Sequence, residues 1–271
     1  MKNRMEKIID LMKKDLKHGS SWYFDKAIEL LSEVEFEDLG RVYKELDSIR
    51  PMATLSNISE VIGKLHNKYE LKMAIDHLKN YRQKSSKNIE LFLRKLNIRS
   101  FVTISFSSAV LTLIKNAKPD LVYLMESRPG NEVGAAFREY SKHVDTRVIP
   151  DSSICSFIEK VDAVVIGADG IYGNGIVNKI GSACLVACGS MLGQPVYAIA
   201  ESYKAGIECP PLSYEVKYAC LKKTVKIPLF EKVNWEKVNY LVTDIGIYAD
   251  PVPAMMTEIR GHFIHGMVDQ R

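Results

Sequence analysis

Apolar residues recur at intervals of three and four from the amino terminus to about residue 95, as in Ile8, Leu11, Met12 and Leu16, and again in Ala27, Ile28, Leu30 and Leu31. That spacing lines one face of a helix, so the first part of the chain is expected to be helical. Gly19 ahead of Ser20 and Ser21 reads as a helix stop followed by a serine cap, and Pro51 follows a helix ending near Ile49. Four or five helices are expected, the last a long basic one over residues 69–95.

After about residue 97 the period changes. The runs "SFVTISF", "DLVYLME", "TRVIPD", "VDAVVIGAD", "PVYAIAES" and "VNYLVTDIG" are short, β-rich and separated by helix-length segments. Runs apolar on both faces predict parallel strands buried between helices, which makes the fold class α/β with a doubly wound sheet. The expected domains are a helical one over 1–95 and an α/β one over 96–271, joined inside a helix or short turn and tightly packed.

Composition narrows the class. The chain has 271 residues, 46% apolar and 26% charged, and no run of 18 apolar residues free of polar interruption, so it should not span a membrane. The opening "MKNRMEKIIDLMKKDLKHG" alternates charge with apolar residues and lacks a signal cleavage pattern, so a cytoplasmic protein is expected. The five cysteines, at 155, 184, 188, 209 and 220, show no C-x-x-C spacing, and the odd count argues for reduced core thiols. Cys184 and Cys188 would share a helix face, but their apolar surroundings favour packing over ligation, so no metal and no cofactor are expected. The net charge of +4 is too small to imply a nucleic-acid partner. Residues 79–99 carry seven Lys or Arg against one Glu, which reads as a solvated basic helix face.

In open parallel sheets, ligands bind beyond the carboxyl ends of the strands. Those ends carry Ser105 with Ser107 and Ser108, then Glu126-Ser127-Arg128-Pro129, Asp169, Glu201-Ser202-Tyr203-Lys204, and Thr243-Asp244. The richest segment is "VVIGADGIYGNGIVNKIGSACLVACG", a strand, a Gly-containing loop and an Asn178-Lys179 pair ahead of an apolar helix. Glycines admit a ligand close to the backbone, and free N–H groups at the helix start beside Lys179 suit a phosphate. The glycines fit neither the dinucleotide-binding nor the P-loop register, which weakens an NAD or nucleoside-triphosphate reading. Arg128 is placed to clamp the same phosphate bidentately, and Lys204 to add a point charge. Asp169 among these cations is either a plain carboxylate or, if burial raises its pKa, an acid-base group.

The motifs "HGSSW", "IRPMATLSN", "TISFSS", "ESRPGNEVG", "GADGIYGNGIVNKIGS", "AESYK" and "TDIGIYADP", in this order, resemble the family that joins the alpha, beta and delta subunits of translation initiation factor 2B with methylthioribose-1-phosphate isomerase and ribose-1,5-bisphosphate isomerase. The resemblance implies a helical domain followed by a Rossmann-like domain, in agreement with the periodicity. It implies that Asp169 matches the catalytic aspartate of the isomerases, that Asn178 and Lys179 contact phosphate, and that Ser105 stands where those enzymes have cysteine. His18-Gly19-Ser20 and Arg50-Pro51 match further phosphate contacts.

A serine hydroxyl needs an adjacent base where a thiol does not, and Ile104 removes the nearest candidate. The leading expectation is therefore a non-catalytic, homo-oligomeric regulatory protein of the alpha-subunit type, with a sugar-phosphate or nucleoside-monophosphate pocket and the alpha subunit of initiation factor 2 as partner. Ser105 would then hydrogen-bond a ligand or start the next helix, with Ser107 and Ser108 in similar roles. The alternative is an aldose-ketose sugar-phosphate isomerase using Asp169. A third reading is a phosphate-binding sensor with no translation role.

Overall fold

The structure is a computed structural model that describes all residues except 1, 16–17, 51, 213–214, 221–222 and 269–271. The expectations for Leu16 and Pro51 thus lie outside the described residues. Five helices come first: α1 (Lys2–Lys14), α2 (Ser20–Ser32), α3 (Leu39–Ile49), α4 (Ala53–Ile62) and α5 (Lys68–Leu93). Their three-and-four spacing buries Met5, Ile8 and Met12 against Phe24, Ala27 and Leu31 in one core. Asn67 begins α5 by accepting the Glu70 N–H at 2.9 Å, while Glu70 accepts the His66 N–H at 2.8 Å, a reciprocal cap.

Strands and helices then alternate: β1 (Ser100–Thr103), α6 (Ser108–Ala117), β2 (Leu121–Met125), α7 (Val133–Tyr140), β3 (Asp145–Ile149), α8 (Ile154–Ile158) and β4 (Ala163–Gly167). A hairpin of β5 (Gly170–Tyr172) and β6 (Gly175–Lys179) precedes α9 (Ser182–Met191), β7 (Val196–Ile199) and β8 (Ala205–Gly206). A second hairpin, β9 (Glu215–Cys220) with β10 (Lys223–Pro228), leads to β11 (Phe230–Val233), β12 (Tyr240–Val242), β13 (Ile247–Ala249) and α10 (Met255–Val268).

The main sheet has the order β13-β12-β7-β4-β1-β2-β3. Every neighbouring pair is parallel except β12 with β13, as the doubly apolar runs require. From β1 the chain steps outward to β2 and β3, then returns to β4 on the other side of β1. The topological switch point, where loops diverge and leave a crevice, therefore lies between β1 and β4.

A smaller sheet, β11-β6-β5-β8, was not anticipated. The glycines of "GIYGNG" serve a hairpin rather than an open ligand loop: Gly175 has φ +140° and its Cα lies so close to the β11 backbone that a Cβ would stand 2.6 Å from the Val233 carbonyl. This sheet is tied to the helices by Asn57, whose amide donates to the Tyr203 and Ala205 carbonyls at 3.0 and 2.8 Å. The carboxyl-terminal helix α10 contributes Phe263 and Ile264 to the helical core.

The expectation of reduced thiols is corrected at one pair. Cys155 on α8 and Cys188 on α9 form a disulfide, with Cα atoms 5.4 Å apart. Their 33-residue separation is closed by α8 packing on α9, which no cysteine count can foresee. Cys184 and Cys209 are free thiols.

Of the three serines, Ser107 starts α6, its Oγ accepting the Val110 N–H at 3.3 Å. Ser107→Ala is expected to cost about 1 kcal/mol of stability, measurable by urea unfolding. No loss of stability would show that the Tyr140 hydroxyl, which accepts the Ser107 N–H at 2.9 Å, holds this turn unaided.

Candidate functional site

A cleft of about 300 Å³ opens at the switch point, between the carboxyl ends of β1 and β4 and the start of α2. Ser105, just past β1, lines it with a left-handed backbone, φ +62°. Such a conformation is uncommon for a residue with a Cβ and persists where neighbours hold it. Here Ser127 holds it, its Oγ accepting the Ser105 N–H at 2.8 Å. Ser105 Oγ donates to Glu132 Oε1 at 3.0 Å, and the same oxygen takes Lys179 Nζ at 2.6 Å. A carboxylate thus faces Ser105 from 27 residues away, on the loop ahead of α7. Lys179 is 4% exposed and holds that carboxylate. Ile104, buried beside it, packs over Gly181.

Asp169 enters from the end of β4. Its Oδ1 accepts the Ser20 N–H at 3.1 Å, and its carbonyl accepts the Ser20 hydroxyl. The expected serine cap of α2 is therefore corrected: Gly19 is the N-cap, with no side-chain cap bond, because the Ser20 hydroxyl is spent on Asp169. Gly19 is needed at this approach, since a Cβ there would lie 2.9 Å from Asp169 Oδ1.

Asn178 and Lys179 end β6 and reach the cleft. Asn178 donates to Ser182 Oγ at 2.9 Å, and Ser182 in turn donates to the Lys179 carbonyl at 2.6 Å. The expected free anion site at the following helix start is also corrected. Glu231 Oε1 accepts the Gly181 and Ala183 N–H groups at 2.7 and 2.8 Å, so the start of α9 already holds a carboxylate. Antiparallel pairing sets Glu231 opposite Asn178 and brings it there.

Lys204 is 3% exposed and pairs with Glu201 at 2.8 Å. Burial alone would raise the Glu201 carboxyl, but Lys204 and Arg82 outweigh it and hold the pKa at about 2. Arg82 reaches the cleft from α5 and pairs with Asp25 of α2 at 3.1 Å. The lining therefore balances Arg82, Lys179 and Lys204 against Asp25, Glu132 and Asp169.

The structure thus brings together Gly19, Ser20, Ser105, Asp169, Asn178, Lys179 and Lys204 in one cleft. Arg50 stands behind it, its guanidinium 4.4 Å from the Phe230 ring centroid and donating to the His18 carbonyl at 3.3 Å. Arg128 is exposed outside it, bonded to Asn131 at 3.3 Å. His18 stacks on Trp22 at the mouth, with centroids 4.6 Å apart, and bonds Asp15 at 2.6 Å. Glu132, Arg82 and Asp25 were not anticipated as cleft residues. Arg82 was hidden in a basic run that reads as surface, and Glu132 lies six residues beyond Glu126 at the strand end, in a loop whose path only the fold reveals.

A sequence model of the initiation factor 2 subunit family matches residues 24–249. The chain belongs to that family. Among relatives of this initiation factor 2 subunit family chain is the ribose 1,5-bisphosphate isomerase of Methanocaldococcus jannaschii, 29% identical over 248 residues, 81% of this chain and 80% of that protein. Another is the translation initiation factor eIF2B subunit alpha of Caenorhabditis elegans, 26% identical over 235 residues, 79% of this chain and 75% of that one. The solved structure of translation initiation factor eIF-2B from Pyrococcus horikoshii OT3 superposes with a TM-score of 0.84 at 25% identity, covering 92% of this chain and 98% of its own. The family thus holds both isomerases and translation factors. Among the described residues no helix is long and apolar enough to cross a membrane.

Proposed function

We propose that the protein is a regulatory member of its family that binds a sugar phosphate or nucleoside monophosphate in the cleft without turning it over, and acts on the alpha subunit of initiation factor 2 as a homo-oligomer. The observation that carries this reading is Ser105: where a reactive thiol would stand, a hydroxyl donates to Glu132, whose carboxylate is neutralised by Lys179. A hydroxyl is activated only by a base able to take its proton, and a carboxylate held in an ion pair is a weak one. Arg82, Lys179 and Lys204 around hydroxyls and amides suit a phosphorylated polyol. Binding of the purified protein to that alpha subunit at near-physiological salt tests the partner, and absence of binding removes the translation role.

A second reading rests on Asp169 and Glu132, two carboxylates lining one cleft. Together they would move a proton between adjacent carbons of an aldose 1-phosphate, as the isomerase relatives' names suggest. Incubation with ribose 1,5-bisphosphate or methylthioribose 1-phosphate is expected to yield no ketose from the wild type. Ketose formation that falls roughly 100-fold or more in Asp169→Asn, the scale of a lost acid-base group, would establish the enzyme instead.

A further inference from the structure

We infer that the seam between α5 and α10 is a second ligand site, built for a small phosphorylated anion and separate from the cleft. Its cavity is about 550 Å³. One wall is a continuous face of α5, with His77, Tyr81, Lys84 and Asn88 at successive turns, and the other is His262 and His265 of α10. Where two helices pack, such a face is normally apolar. Here the Tyr81 and Phe263 rings meet 4.9 Å apart, and the side chains that line the cavity are polar or aromatic. This seam lies partly beyond residues 24–249, outside the family match.

Hydrogen-bond directions at the floor are forced. Asp244 accepts the Ser202 N–H at 2.6 Å and the Ser202 hydroxyl at 2.9 Å. With the Ser202 proton used, Tyr81 must donate to Ser202, and with the Tyr81 proton used, His262 Nδ1 must donate to Tyr81 at 3.1 Å. The remaining His262 nitrogen, Nε2, is left to take a proton. Ser85, on the same face of α5, is 2% exposed and its hydroxyl has no hydrogen-bond partner. A buried hydroxyl without a partner costs about 1–3 kcal/mol, a cost a bound acceptor removes.

The charges select an anion. Tyr81, Lys84 and His77 face the cavity from α5, His262 and His265 from α10, and Asp244 from the end of β12. Asp244 is the one carboxylate among these lining residues, and both its oxygens are engaged by Ser202. Among the described residues no three His, Cys, Asp or Glu side chains converge as metal ligands. Lys84, the imidazole N–H groups and the Ser85 hydroxyl together form a set of donors for phosphate oxygens.

The test is a titration of the full chain with inorganic phosphate at constant ionic strength, followed by two-dimensional NMR of the imidazole nitrogens. Saturable shifts of His77, His262 and His265 are expected. Lys84→Glu and His262→Gln, both at exposed positions, should each weaken the response about tenfold, the scale of one lost charged contact. Lys179→Met, in the cleft, should leave it intact. Shifts abolished by Lys179→Met but not by Lys84→Glu, or no saturable shift of these three imidazoles, would overturn the inference.

Discussion

Lys204→Met is expected to destabilise the protein by about 3–5 kcal/mol at pH 7, the largest single-residue effect among the charged groups of the cleft. The reason is Glu201. Both side chains are buried, at 4% and 6% exposure, and the ammonium is what makes an interior carboxylate tolerable. In the wild type the Glu201 carboxyl lies at about 2, below its unfolded value of about 4.3. Its contribution is therefore fully present above the unfolded value and is lost as pH falls toward 2. Without Lys204, Arg82 is left to oppose burial, so the Glu201 carboxyl is held down far less and the variant loses much of the stability that the ionised carboxylate contributes at neutral pH. The deficit should accordingly be large at pH 7 and smaller at pH 4.5. Thermal unfolding of both proteins at the two pH values checks this, with a neutral-pH drop in Tm of roughly 10 °C expected for a chain of this size. An equal deficit at both pH values would mean that lost packing of the lysine stem, not the stranded carboxylate, is responsible.

Opposite effects are expected from the two halves of the other buried pair. Glu132→Gln keeps an acceptor for Ser105 and removes the charge that occupies Lys179, so a phosphate monoester should bind roughly tenfold tighter. Lys179→Met removes a charge-assisted donor and leaves Glu132 facing the ligand, so the same compound should bind roughly 10- to 100-fold more weakly. Calorimetric titration with ribose 1,5-bisphosphate and with a nucleoside monophosphate reads both. If Glu132→Gln also weakens binding, Glu132 is a direct ligand contact through its charge rather than a competitor for Lys179, and the isomerase reading gains.

These two pairs show where sequence reasoning ends. Lys204 and Glu201 are three residues apart on one strand-end turn, and their polar character after the run "PVYAIAES" was legible. Lys179 was also legible, because it follows the strand and Gly-containing loop of "GADGIYGNGIVNK", although that loop is a hairpin in the fold. Its partner was not: Glu132 belongs to the loop after β2, and only the pairing of β2 with β1 in the sheet brings that loop over Ser105. The same holds at α9, where the helix start looked like a free anion site until β11 paired with β6 and delivered Glu231. Ser20 looked like a cap because capping is local, but its hydroxyl is taken by the backbone carbonyl of Asp169, 149 residues away.

Apolar periodicity by itself gave four or five leading helices, of which the fold has five, and six strand runs and hence the α/β class, because each depends on how neighbours three, four or two positions apart share a face. It also determined that Ser105, Asp169, Asn178, Lys179 and Lys204 belong near strand ends. Strand order, the second small sheet, the Cys155–Cys188 bond and the entry of Arg82 and Glu132 into the cleft were decided by the tertiary structure alone. Each of these joins groups far apart in the chain, and the energy that selects such pairings arises only when the buried faces meet.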